Sequence, residues 1–99
     1  MEEEVKRNYT IELYDIYGSL LTEKQRSYFE DYYFMDLSIS EMAENYGISR
    51  NGVFDQIKRA VSTLEDYENH LNLHKKFKKI DSLEIDSKVK EEILNLLKE

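Results

Sequence analysis

The chain has 99 residues, a formal net charge of −7 and no cysteine. This length suits one domain with a single apolar core, and the lack of cysteine excludes disulfides and thiolate metal sites. There is no proline and only three glycines, so few residues interrupt a helix, and we expect an all-α fold.

The amino-terminal segment "MEEEVKRNYT" is acidic and lacks the apolar stretch of a signal peptide. No run of the sequence approaches the ~18 apolar residues of a membrane span. We therefore expect a cytoplasmic protein that does not insert into membranes.

The first two helices are predicted from apolar spacing and from a capping motif. Apolar residues three and four positions apart indicate a first helix between Val5 and Leu20. Thr22 and Gln25 have the spacing of a capping box, so a second helix begins after Thr22 and covers "EKQRSYFEDYYFM". Its aromatic residues alternate with acidic ones, which favours a place in the core over base stacking.

A helix-turn-helix is predicted from the next stretch, "SISEMAENYGISRNGVFDQIKRA". Ser38 and Glu41 form a second capping box, Gly47 occupies a corner that needs a positive φ, and Ser49 is a suitable N-cap for the following helix. Small or apolar residues fill the positions that such a corner buries: Ala43, Ile48, Val53 and Ile57. The alternative is a pair of ordinary core helices joined at a glycine.

The fourth helix is expected to continue without a break to about Lys79, a run of roughly 28 residues or about 42 Å. The segment "KIDSLEID" ends it, and a last amphipathic helix follows from about Ser87 to Lys98. The prediction is one domain over residues 1–99 with about five helices. Residues 22–60 form the helix-turn-helix core, and residues 61–99 form a helical extension.

One side of the fourth helix has the side chains of a nucleic-acid reader. With Val53 and Ile57 inward, a step of about 100° per residue turns the polar residues outward. In a helix that lies in the major groove, arginine typically binds guanine, asparagine binds adenine and lysine binds phosphate. The candidates are Arg50, Asn51, Lys58 and Arg59. Asp55 lies among them and would repel phosphate, and Phe54 is either a rim residue of the core or a contact to a thymine methyl.

A second basic segment, "HKKFKK", contains Lys75, Lys76, Lys78 and Lys79. It is either a solvated helix end, where cations complement the helix dipole, or a patch that binds RNA phosphates. Because few cations are available on an acidic chain, we expect no tight, nonspecific binding to DNA.

No catalytic constellation, phosphate-binding loop or cofactor motif is found, so we expect neither an enzyme nor a cofactor. Asp66, His70 and His74 share one helix face at metal-ligand spacing. No second segment supplies further ligands, so we expect no metal site. The leucine-rich last helix, the long fourth helix and Ile11 on the outer side of the first helix leave surplus apolar surface, which predicts a homodimer.

The stretch "LTEKQRSYFEDYYFMDLSISEMAENYGISRNGVFDQIKRA" resembles region 4 of sigma-70-type factors. The chain as a whole resembles the YlxM family of small bacterial helix-turn-helix proteins, through "YDIYGSLLTEKQRSYFEDYYFMDLSISEMAE" and "GISRNGVFDQIKRA". The regions with which sigma factors bind RNA polymerase are missing.

The resemblance implies a role beside the signal recognition particle, because members of the family are typically encoded next to its protein subunit. The leading hypothesis is thus an accessory or regulatory protein that contacts the particle's RNA, its GTPase subunit or both. The rival hypothesis is a sequence-specific DNA-binding regulator that acts as a dimer. A third is a protein-interaction module that has kept the helix-turn-helix only as a scaffold.

Overall fold

The computed structural model describes residues 2–98, and within that range the chain is all-α, as the sequence predicts. Its elements, in chain order, are α1 (Glu2–Tyr17), a 3-10 turn (Gly18–Leu20), α2 (Glu23–Tyr33), α3 (Ile39–Tyr46), α4 (Arg50–Leu71), α5 (Leu73–Asp81) and α6 (Ser87–Lys98). None of the helices described is long and apolar enough to cross a membrane.

Both predicted capping boxes are present. The hydroxyl of Thr22 accepts the backbone N–H of Gln25 at 3.1 Å, and the Gln25 side chain accepts the Thr22 N–H at 3.0 Å. Ser38 and Glu41 make the same two bonds, both at 3.0 Å. These reciprocal bonds satisfy the free N–H groups at the start of α2 and α3.

Two apolar clusters hold the fold together, and α4 contributes to both. The first lies among α1, α2 and α4: Leu13, Tyr17, Leu21, Phe29, Ala60 and Leu64. The second lies among α2, α3 and α4: Tyr28, Met42, Val53 and Ile57. The central position of α4 explains why its apolar residues recur at three- and four-residue spacing.

The prediction of an unbroken fourth helix to about Lys79 is wrong, and the described residues form six α-helices rather than about five. Asn72 is left-handed, with φ 55° and ψ 30°, and its N–H donates to the carbonyl of Glu68 at 2.8 Å. Asparagine adopts this conformation more readily than most non-glycine residues. α4 therefore ends at Leu71, and α5 begins in a new direction.

The first helix also differs from its predicted apolar face. Leu13 and Tyr17 are buried, but Val5 is 71% exposed and Leu20 is 53% exposed. Only the carboxyl-terminal half of α1 therefore contributes large apolar side chains to the first cluster.

Candidate nucleic-acid interface

Three short-range features fix the corner that precedes α4. Gly47 ends α3 with φ 67° and ψ 35°, a left-handed conformation that glycine reaches at little steric cost. The N–H of Ile48 donates to the carbonyl of Ala43 at 3.1 Å. The hydroxyl of Ser49 accepts the N–H of Gly52 at 3.0 Å. These contacts set the direction in which α4 leaves the corner.

The first three turns of α4 have one buried side and one exposed side. Val53, Ile57 and Ala60 are buried in the two clusters. The four side chains of α4 that the sequence analysis selected are exposed on the other side: Arg50, Asn51, Lys58 and Arg59. This set, the reading face, is accessible to a ligand.

Two polar contacts engage the guanidinium groups of the reading face, and the one with Asp55 offsets positive charge. Nη2 of Arg59 is 3.2 Å from Oδ2 of Asp55, and Nη1 of Arg50 donates to the hydroxyl of Ser40 at 3.3 Å. Because the Arg59–Asp55 ion pair is exposed to water, it contributes little stability. A phosphate can therefore displace Asp55 at small cost to the fold.

An open groove of about 850 Å³ adjoins the reading face. Phe54 and Lys58 line it from α4, Tyr32 lines it from α2, and Lys6 and Arg7 line it from α1. Three carboxylates also line it: Glu3, Glu4 and Glu65. Phe54 is 60% exposed. It stands on the wall of this groove and is not a buried residue of the core.

Arg7 is held in place on the α1 side of this groove. Its Nη2 donates to the carbonyl of Tyr33 at 2.9 Å, and its guanidinium lies 5.0 Å from the centre of the Tyr33 ring. Lys6 and Arg7 cannot be recognised in the sequence as neighbours of the reading face, because some 50 positions separate them from Lys58. Only the packing of α1 against α4 places them beside the reading face.

The lysine segment (Lys75, Lys76, Lys78 and Lys79) lies on α5, and all four side chains are exposed. Nζ of Lys78 is 3.7 Å from Oε1 of Glu12. About 18 Å of α4 axis runs between Arg59 and the end of that helix. The reading face and the lysine segment are therefore two separate basic surfaces.

A buried carboxylate joins α4, α1 and α5. Glu68 is 4% exposed, and its Oε1 accepts the hydroxyl of Tyr17 at 2.6 Å and the N–H of His74 at 3.0 Å. Its Oε2 accepts the N–H of Lys75 at 3.3 Å, while the Tyr17 hydroxyl accepts the N–H of Leu73 at 3.2 Å. Together Glu68 and Tyr17 cap the first turn of α5.

These contacts shift the titration of the groups involved. Burial alone raises the pKa of the Glu68 carboxyl, but the hydrogen bonds from Tyr17, His74 and Lys75 outweigh it and hold that pKa below its usual range. Burial, together with the bond to Glu68, raises the pKa of Tyr17 to about 12. Glu68 is thus a carboxylate and Tyr17 a neutral hydroxyl at neutral pH.

The two histidines have different surroundings. Nε2 of His74 lies 3.1 Å from Oε1 of Glu12, and this hydrogen bond holds the pKa of Glu12 below its usual range. Nδ1 of His70 lies 2.7 Å from the carbonyl of Asp66 in its own helix. Over residues 2–98, no three histidine, cysteine or acidic side chains converge as metal ligands would.

The capped α3, the corner at Gly47 and the exposed side of α4 define a helix-turn-helix protein. A family model described as "Putative helix-turn-helix protein, YlxM / p13 like" (UPF0122) matches residues 4–99. The chain belongs to this family, which confirms the resemblance to the YlxM family.

Relatives from several bacteria support the same assignment. The chain is 44% identical over 104 residues to UPF0122 protein YlxM of Bacillus subtilis, covering 98% of this chain and 92% of that protein. It is 48% identical over 79 residues to a UPF0122 protein of Geobacillus sp., covering 80% and 69% of the two chains. It is also 52% identical over 65 residues to a Staphylococcus haemolyticus relative, covering 66% and 59%.

Proposed function

We propose that this chain is a non-enzymatic accessory or regulatory protein of the signal recognition particle pathway. It acts in the cytoplasm and contacts the particle's RNA, its GTPase subunit or both. The observation that carries the nucleic-acid part is the exposure of the reading face on a helix whose other side is buried in both clusters. A helix-turn-helix offers such a helix to nucleic acid. The family resemblance supplies the pathway.

The charge distribution favours a specific partner over binding to any polyanion. The chain has a net charge of −7, and Asp55 already pairs with Arg59 on the reading face. Affinity for phosphates that does not depend on sequence needs many cations. Only a ligand that also fits the groove beside Phe54 and Lys58 gains enough contacts.

The lysine segment supports RNA as one of the ligands. Its side chains are exposed along α5, and the backbone phosphates of an RNA helix are recognised largely by charge and shape. The reading face and the lysine segment would then contact two different regions of one folded RNA.

Titration of labelled particle RNA and of the GTPase subunit, each against the purified chain at near-physiological salt, tests this proposal. We expect Lys58→Glu to weaken RNA binding roughly tenfold, since it removes one phosphate contact and adds a repulsive charge. Asp55→Asn should strengthen binding because it releases Arg59. Lys88→Glu on the exposed surface of α6 is the matched control and should leave RNA binding nearly unchanged.

Failure of both the RNA and the GTPase subunit to bind at tens of micromolar would overturn the pathway. If the GTPase subunit binds and Lys58→Glu leaves that binding unchanged, the chain is a protein-interaction module and the reading face has no part in it.

A sequence-specific DNA-binding regulator is the second candidate, favoured by the position of Arg50 and Asn51 at the amino end of α4, where major-groove readers place their base contacts. A single reading face makes few contacts, so this function requires a dimer. Selection from random duplex DNA should then recover a palindrome whose binding is lost in Arg50→Ala or Asn51→Ala.

A further inference from the structure

The carboxyl-terminal pair, α5 with α6, is poorly covered in the single chain. From Leu73 to Leu97 no residue is buried. An open groove of about 810 Å³, lined by Ile16, Phe77 and Leu94 among others, lies between this pair and α1. Helices of nine and twelve residues are marginal on their own. Both helices therefore depend on apolar contacts outside themselves.

An apolar stripe on α6 is only partly covered by the residues that the structure describes. Val89, Ile93 and Leu96 follow each other at spacings of four and three residues, so they form one ridge along the helix. Val89 is 47% exposed, Leu96 is 69% exposed and Ile93 is half-buried. Leu83 and Ile85, in the turn before α6, are also largely exposed.

The dimensions of the molecule agree with an uncovered surface. The chain exposes 7364 Å², whereas a compact monomer of 11.9 kDa is expected to expose about 6,000 Å². The radius of gyration is 16.0 Å, compared with about 13 Å for a compact domain of this length. The surplus area exceeds the ~800 Å² that each partner contributes to a standard interface.

The distribution of charge along the sequence indicates which part of this acidic chain can contact a second copy. Residues 1–72 contain seven basic and fifteen acidic residues, so two copies of that part repel each other. Residues 73–97 contain six lysines and five acidic residues. A two-fold contact brings the same patch together with itself, so a surface with both signs of charge opposes the contact less than a surface with one sign does.

We propose that the apolar stripe of α6 is a self-association surface and that its occupant is the same stripe of a second copy of this chain. Val89, Ile93 and Leu96 pack across a two-fold axis that passes near Ile93. The reading face on α4 and the outward lysines of α5 remain exposed in the dimer.

Sedimentation equilibrium over a wide concentration range tests the proposal. The native chain should reach twice its mass of 11.9 kDa. Leu96→Glu should raise the dissociation constant roughly tenfold or more, since it places a charge where the dimer buries a leucine. Met35→Glu is the matched control, because Met35 is 67% exposed and lies outside α6. It should leave the dissociation constant unchanged.

A second measurement does not depend on a charge at the interface. Because the chain has no cysteine, an Ile93→Cys variant contains a single thiol, which under oxidation should form a disulfide with its counterpart across the two-fold axis. Met35→Cys should not form one. A native chain that stays monomeric at every concentration overturns the proposal. A dimer that survives Leu96→Glu and does not cross-link through Ile93→Cys overturns it as well.

Discussion

Glu68 links three helices through one buried carboxylate, and this makes stability depend on pH. Its folded-state pKa is lowered, so its contribution is complete above the unfolded value of 4.5 and is lost as the pH falls through the lower folded value. We expect Glu68→Gln to cost about 1–3 kcal/mol at neutral pH, because one capping acceptor is lost. Urea unfolding at several pH values measures this.

The same variant should lose much of the acid dependence. If Glu68→Gln becomes less stable on acidification as steeply as the native chain does, then Glu68 is not the group responsible. A Glu12→Gln variant is the control. The pKa of Glu12 is also lowered, so this carboxylate changes the stability in the same direction with pH, but its side chain is more exposed than that of Glu68.

At the scale of single elements, the turn at Asn72 decides where α5 lies. Asn72→Gly should be nearly neutral, since glycine also accepts φ 55°. Asn72→Val should destabilise the chain by roughly 1–2 kcal/mol, because a β-branched residue is strained in a left-handed conformation. Thermal unfolding of the two variants measures the difference between their stabilities. Equal stability of both would mean that the turn is not constrained.

The sequence predicts most of the helices because their ends depend on interactions between residues that are close in the chain. Thr22 and Ser38 carry their capping partners three residues away, and Gly47 is the residue type that its corner needs. The reading face also follows from helix periodicity alone. These features depend on neighbours close in the chain, so one sequence is enough to find them.

The features that the sequence did not predict depend on distant partners. Asn72 is an exception, because asparagine is itself a local signal for a left-handed helix end, but the apolar pattern continues on both sides of it and favours an unbroken helix. Glu68 caps α5 through N–H groups six and seven positions away, but its third hydrogen bond comes from Tyr17, which lies 51 positions earlier. Arg7 joins the groove beside Lys58 only after α1 packs against α4.

At the scale of the whole molecule, the two kinds of association proposed above should respond to salt in opposite ways. Between about 50 and 200 mM salt, RNA or DNA binding through about three phosphates should weaken roughly 20- to 40-fold. Dimerisation should instead become tighter, because salt screens the repulsion between two chains of net charge −7. Measuring both dissociation constants across the same salt series tests this. Parallel weakening would argue against an interface at the apolar stripe.

The sharing of α4 between the two apolar clusters has a consequence for cooperativity. Unwinding of α4 removes a wall from both clusters at once, which couples their unfolding. We therefore expect the segment from Leu13 to Leu64 to unfold as one unit. The carboxyl-terminal pair has no buried residue between Leu73 and Leu97, and it can open and re-form while that unit persists. The helix-turn-helix thus stays folded while α5 and α6 open and re-form.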